Sequence, residues 1–146
     1  MEETIFGADS MVRYATAFVR TLVPGKTATV VGLAGDLGAG KTTFIQGAAK
    51  SLGIEESVTS PTFVIEKIYP LVDQPFAHLI HIDAYRLKSA DELVALGWGE
   101  IIRDPRNVIF IEWPERVSNI MPADAKRLKL RFIDEKTRGI ERVSQS

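Results

Sequence analysis

Residues Gly35 to Thr42 read G-D-L-G-A-G-K-T, the G-x-x-x-x-G-K-[ST] spacing of a phosphate-binding loop. Each residue type has a mechanical task on a nucleoside triphosphate. Glycines let the backbone curl until successive N–H groups face phosphate oxygens. Lys41 is suited to set an ammonium on the β- and γ-phosphates, and Thr42 to offer its hydroxyl to a magnesium ion. A helix beginning near Lys41 adds its partial positive end to the same phosphates. On this reading Asp36, Leu37, Gly38, Ala39, Gly40, Lys41, Thr42 and Thr43 contact the nucleotide, and Ser10, near the start of the first helix, is counted with them.

Such a loop needs carboxylates to complete the magnesium shell and position a water. Two apolar runs end in one: Leu79-Ile-His-Ile-Asp83 and Val108-Ile-Phe-Ile-Glu112. Pattern alone does not rank them, and each could equally be a strand-end acid in water. Around Pro61, the hydroxyls of Thr59, Ser60 and Thr62 fit either a γ-phosphate sensor or ordinary turn chemistry. Arg86 could reach phosphate or pair with a surface acid. Trp113, beside Glu112, is either a wall of the site or core packing. His78 and His81 fall on opposite faces of their strand and lack a third ligand, so they suggest no metal centre. His81 shares a face with Asp83 and could point toward the site, but a packed or surface histidine is the simpler reading.

The elements that must hold these groups follow from periodicity. Met11, Val12, Ala15, Phe18, Val19 and Leu22 recur at helical spacing, with Asp9 or Ser10 as cap and Pro24-Gly25 as stop. Residues 27–33 are an apolar, β-branched run of strand length. Phe44, Ile45, Ala48, Ala49 and Leu52 mark the following helix, closed by Gly53. Strand, glycine loop and helix thus stand in the order the motif requires. Residues 63–69 and 77–83 are close enough in sequence for an antiparallel hairpin. Ser89-Ala-Asp-Glu92 fits a capping box for a short helix through Leu96, and Asp104-Pro-Arg-Asn107 fits a turn. Val108 to Ile111 is continuously apolar, as a central strand buried on both faces must be. Leu128, Leu130 and Phe132 alternate with basic residues in a half-buried strand, and Ile140 to Val143 can return after Arg138-Gly139. The sum is an α/β fold: a three-layer P-loop NTPase-like domain with a mixed, largely parallel central sheet, a single domain over residues 1–146.

Composition narrows the classes. The chain has 146 residues, 45% hydrophobic and 25% charged, enough for one well-cored domain but not two. Its net charge of −1 gives no global electrostatic case for binding nucleic acid or an anionic membrane. With no cysteine, disulfides, thiolate zinc sites and cysteine nucleophiles are excluded. No apolar stretch is long enough to span a membrane and no signal-peptide pattern opens the chain, so the expected location is the cytoplasm.

Taken together, G-D-L-G-A-G-K-T-T, S-P-T-F, H-I-D-A-Y-R-L and I-E-W-P-E, in this order, resemble the TsaE (YjeE) family. This is the ATPase component of bacterial tRNA threonylcarbamoyladenosine biosynthesis. The resemblance runs from the first helix to the strand at Arg127–Phe132, and nothing after Asp134 matches. It implies a Mg2+-dependent ATPase in which Lys41, Asp83 and Glu112 are catalytic and Thr42 and Glu112 hold the metal. It implies Trp113 as a sensitive neighbour, and TsaB and TsaD as partners through which the protein serves tRNA indirectly. It also uses both carboxylates. The alternative is a small-molecule or nucleotide P-loop kinase, for which 146 residues leave little room for an acceptor site and lid. A GTP-dependent switch is disfavoured because N-K-x-D is absent.

Overall fold

The computed structural model describes residues 2–56 and 66–143. The hydroxyl-rich segment with Thr59, Ser60 and Thr62 lies outside the described residues. In chain order the elements are β1 (Glu3–Phe6), α1 (Gly7–Val19), β2 (Thr29–Ala34), α2 (Lys41–Ser51), β3 (Glu66–Pro70), β4 (His78–Asp83), α3 (Ala90–Ala95) and α4 (Trp98–Arg103). Then come β5 (Asn107–Glu112), a 3-10 segment (Pro114–Ile120), β6 (Lys126–Asp134) and β7 (Thr137–Arg142).

The strands form one seven-stranded sheet in the order β1-β7-β6-β2-β5-β4-β3. The inner pairings β6·β2, β2·β5 and β5·β4 are parallel, and the outer ones are antiparallel. Parallel strands need both faces covered, and the side chains divide accordingly. Val31, Leu33, Leu79, Val108, Phe110, Leu128 and Leu130 face α1 and α2 in one core. Val30, Ile80, Ile82, Ile109 and Ile111 face α3, α4 and the 3-10 segment in the other. Every residue of β5 is buried, as its continuous apolar run requires. Phe44 of α2 anchors the first core, with its ring against Phe18 of α1 and Phe110 of β5.

Several local expectations need correction. Asp9 and Ser10 do not cap α1. The chain turns straight out of β1, with Phe6 as N-cap and the Gly7 N–H donated to the Lys136 carbonyl at 2.8 Å. Pairing of β1 with β7 therefore sets the helix start, and Asp9 sits in the first turn, where its charge complements the helix dipole. The Ser89 box is incomplete. Ser89 is the N-cap but makes no side-chain cap bond, and Glu92 accepts the N–H of Lys88 at 2.7 Å. Arg138-Gly139 is not a turn. Asp134 accepts the Lys136 N–H at 2.9 Å, which closes the hairpin earlier and leaves both residues inside β7. Phe132, expected on the buried face of its strand, is instead exposed toward the end of β6, and the Arg138 guanidinium lies over its ring. Neither β1 nor α4 was legible from periodicity, being too short to show a period.

Candidate functional site

The loop begins where β2 ends. The Ala39 N–H donates to the Asp36 carbonyl at 3.0 Å, tightening the turn. Gly38 and Gly40 hold φ values of 82° and 101°, a left-handed region that other residues enter only at a cost. Gly40 is the N-cap of α2, so the helix starts at Lys41 with its first N–H groups lacking intrahelical acceptors. Thr42 and Thr43 stand in that first turn, half-buried.

Lys41 is buried, which is unusual for an ammonium. Its Nζ donates to the Gly35 carbonyl and lies 3.6 Å from the centroid of the Trp113 ring. Burial pushes the ammonium below its ordinary value, while the carboxylates of Glu112, Glu115, Asp83 and Asp36 pull it back up. Those four acids mark the negative side of the site.

Sheet register explains their convergence. Leu33, Glu112 and Asp83 form one row across β2, β5 and β4. All three strands are parallel, so their C-terminal ends meet on one edge, where open α/β sheets bind ligands. Alternation puts Asp83 and Glu112 on the α2 face, with Leu79, Val108 and Phe110. Asp83 is half-buried and its Oδ1 accepts the Tyr85 N–H at 3.0 Å. Glu112 is only 3% exposed, and its Oε2 lies 2.7 Å from Nε2 of the fully buried His81. Trp113 leaves the strand at φ 60°, ψ 52°, a left-handed turn that swings its ring across the loop toward Lys41. Its N–H donates to the Leu33 carbonyl at 3.2 Å, and Tyr85 packs 5.0 Å away ring to ring.

A cavity of about 160 Å³ adjoins the loop on the other side, lined by Gly40 and Thr43, Gly7, Ala8 and Met11 of α1, and Glu135, Lys136 and Arg138 of the β6–β7 hairpin. Arg138 also donates from Nε to the Gly38 carbonyl at 2.8 Å. Ser10 is adjacent in α1, but its hydroxyl accepts from Arg13 at 2.8 Å and it does not line the cavity.

A family model for "Threonylcarbamoyl adenosine biosynthesis protein TsaE" matches residues 7–142. The chain belongs to the TsaE family. Among curated TsaE proteins, that of Treponema pallidum is 37% identical over 133 residues, covering 91% of this chain and 93% of its own. That of Borreliella burgdorferi is 39% identical over 114 residues, with 78% of each chain covered. Both carry the name tRNA threonylcarbamoyladenosine biosynthesis protein TsaE. The crystal structure of YdiB from Bacillus subtilis superimposes with a TM-score of 0.70 at 26% identity, covering this whole chain and 86% of that one.

Within this TsaE fold, the structure brings together Lys41, Thr42, Asp83, Glu112 and Trp113. Arg86 is exposed in the turn after β4, beyond this row, and Thr62 lies outside the described residues. Three participants go beyond the readings favoured from sequence. His81 is neither a surface group nor mere packing, because it holds Glu112; its shared face with Asp83 was the available signal. Glu115 acts on Lys41 through the turn after β5. Arg138 reaches the loop from 100 residues away in sequence, a contact only tertiary pairing creates. No helix among the described residues is long and apolar enough to cross a membrane.

Proposed function

We propose that this chain binds ATP with Mg2+ and hydrolyses it slowly, as the ATPase component of tRNA threonylcarbamoyladenosine biosynthesis working with TsaB and TsaD. The observation that carries this is the row formed by the loop-bearing β2, Glu112 and Asp83, with the buried Lys41 ammonium in their field. The relatives' names supply the pathway.

The residues fit a magnesium ion. The Thr42 hydroxyl and the Glu112 carboxylate are hard oxygen donors, and magnesium bound with nucleotide takes few protein ligands. Among the described residues no cluster of three or more acidic or histidine ligands exists, consistent with a metal shared with phosphates. When bound, magnesium would neutralise charge on the phosphate oxygens. The chain's own contributions are distinct. The loop and the α2 N-terminus hold phosphate, and Lys41 leaves the Trp113 face to meet it. Asp83, whose Oδ1 accepts the Tyr85 N–H, stands beside Glu112 at the strand ends, where it would orient the attacking water. The exposed loop tip at Leu37 (71% exposed) and Tyr85 (40%) beside Trp113 give a partner apolar contacts at the mouth of the site. Such a partner can add the positioning and charge on which phosphoryl transfer depends.

The test is a comparison of Lys41→Ala, Asp83→Ala and Glu112→Ala in nucleotide binding and in tRNA modification reconstituted with TsaB and TsaD. Lys41→Ala is expected to lose nucleotide binding. The carboxylate variants are expected to retain much of it while losing turnover and modification. Transfer of phosphate from ATP to a small acceptor at a metabolic rate, with no dependence on the partners, would overturn this in favour of a P-loop kinase.

A further inference from the structure

Glu112 ends β5 with its carboxylate in the sheet's interior, and something must hold a buried negative charge there. His81 does so from the neighbouring strand. Its ring is fully buried, and its Nε2 lies 2.7 Å from Glu112 Oε2. An ionised carboxylate only accepts hydrogen bonds, so Nε2 carries the proton. The other ring nitrogen, Nδ1, is buried without a hydrogen-bond partner among the described residues. That suits a ring with a bare lone pair at Nδ1, since an N–H there would be orphaned. The bond therefore has one direction, from histidine to glutamate. Glu112 Oε1 has no hydrogen bond among the described residues and is not one of the buried orphan atoms. One oxygen is fixed and the other is left for a ligand.

The geometry points to His81 as a positioning residue: its Nε2–H clamps Oε2 of Glu112 so that Oε1 is presented to the metal of the metal–nucleotide complex. The clamp is stiff because both residues are locked by sheet pairing. His81 pairs with Phe110, two residues before Glu112, and Asp83 pairs with Glu112 itself. His81 and Asp83 thus stand two residues apart on the same face of β4, one serving the ligand carboxylate and the other the reacting end. This rests on the assignment of Glu112 to the metal in the proposed function.

The experiment uses the full chain, Mn2+ as the metal probe followed by electron paramagnetic resonance, and a slowly hydrolysed ATP analogue. Affinity for the analogue is measured with and without metal. His81→Leu removes the donor at similar volume. His81→Gln places an amide N–H near the position of Nε2. His81→Leu is expected to weaken Mn2+ binding to the nucleotide complex by about 10–100-fold, the usual scale for losing a hydrogen bond behind a metal ligand. Its metal-free affinity for the analogue should stay at the wild-type value. His81→Gln is expected to restore most of the metal affinity. In a Glu112→Ala background, His81→Leu should have no further effect on Mn2+. Equal Mn2+ affinity in His81→Leu and wild type, or loss of metal-free and metal-bound affinity together in both His81 variants, overturns the clamp. Failure of the wild-type chain to bind the analogue at all overturns the nucleotide reading and the clamp with it.

Discussion

Gly47 lies in the middle of α2, where α1 crosses it. A Cβ built there would stand 2.9 Å from the Val12 Cα and 3.2 Å from the Ala15 Cβ. Carbon atoms rest at about 3.5–4.0 Å, so α1 must retreat by roughly 0.6–1 Å. The obstacle at Val12 is backbone and cannot rotate away. Two effects oppose each other in Gly47→Ala. Alanine favours the helix over glycine by about 1 kcal/mol. Overpacking a tight core costs about 1–3 kcal/mol. Crowding should win, for a net loss of about 1 kcal/mol and a Tm lower by about 3 °C. The same movement disturbs the site, because Met11 of α1 also abuts the Gly40 end of α2, 3.0 Å from where a Cβ of that residue would lie. Nucleotide affinity should therefore fall along with stability. Gly99→Ala is the control: it is a helical glycine in α4 with nothing within 4 Å of its Cβ position. It should gain roughly 0.5–1 kcal/mol. Urea unfolding of both variants and calorimetric titration with nucleotide read the result. If Gly47→Ala is stabilised like Gly99→Ala, with affinity unchanged, the close α1–α2 crossing is refuted.

Three further outcomes are expected. The chain has two tryptophans, and only Trp113 faces Lys41, whereas Trp98 is buried beneath α3; a nucleotide-induced fluorescence change should survive Trp98→Phe and vanish in Trp113→Phe, and the reverse would show that Lys41 does not leave the ring. Burial raises the Glu66 carboxyl, and its Oε1 has no hydrogen bond among the described residues; the folded chain then holds a proton the unfolded chain has released, so stability falls as pH rises from the unfolded value through the raised one. Glu66→Gln should remove that slope, giving a higher Tm than wild type at about pH 7 and an equal one near about pH 3.5; equal Tm at both would contradict it. Asp104 is held down to about 2 by the Arg106 side chain and backbone N–H; its stabilising contribution is present above the ordinary carboxylate value and is lost as pH falls toward 2. Arg106→Ala should raise it part-way, since the backbone bond remains, as carboxyl titration by NMR would show.

The loop at Gly35–Thr42, the helix after it and the buried strand ending in Glu112 were legible in the sequence because each is local. Positive φ falls on glycines, α2 repeats at helical spacing, and β5 is apolar on both faces because helices cover both. The resemblance of the motifs to the TsaE family was likewise readable from short segments. What pattern could not rank was Asp83 against Glu112, because their roles depend on neighbouring strands. Parallel pairing of β4 and β5 sets the two side by side, and the β2–β5 register brings both to the loop. The bond from His81 to Glu112 spans 31 residues, and that from Arg138 to Gly38 spans 100. Neither distance leaves a period in the chain. Sequence determined the phosphate-loop pattern; strand order and register decided which acids, and which histidine behind them, stand beside that loop.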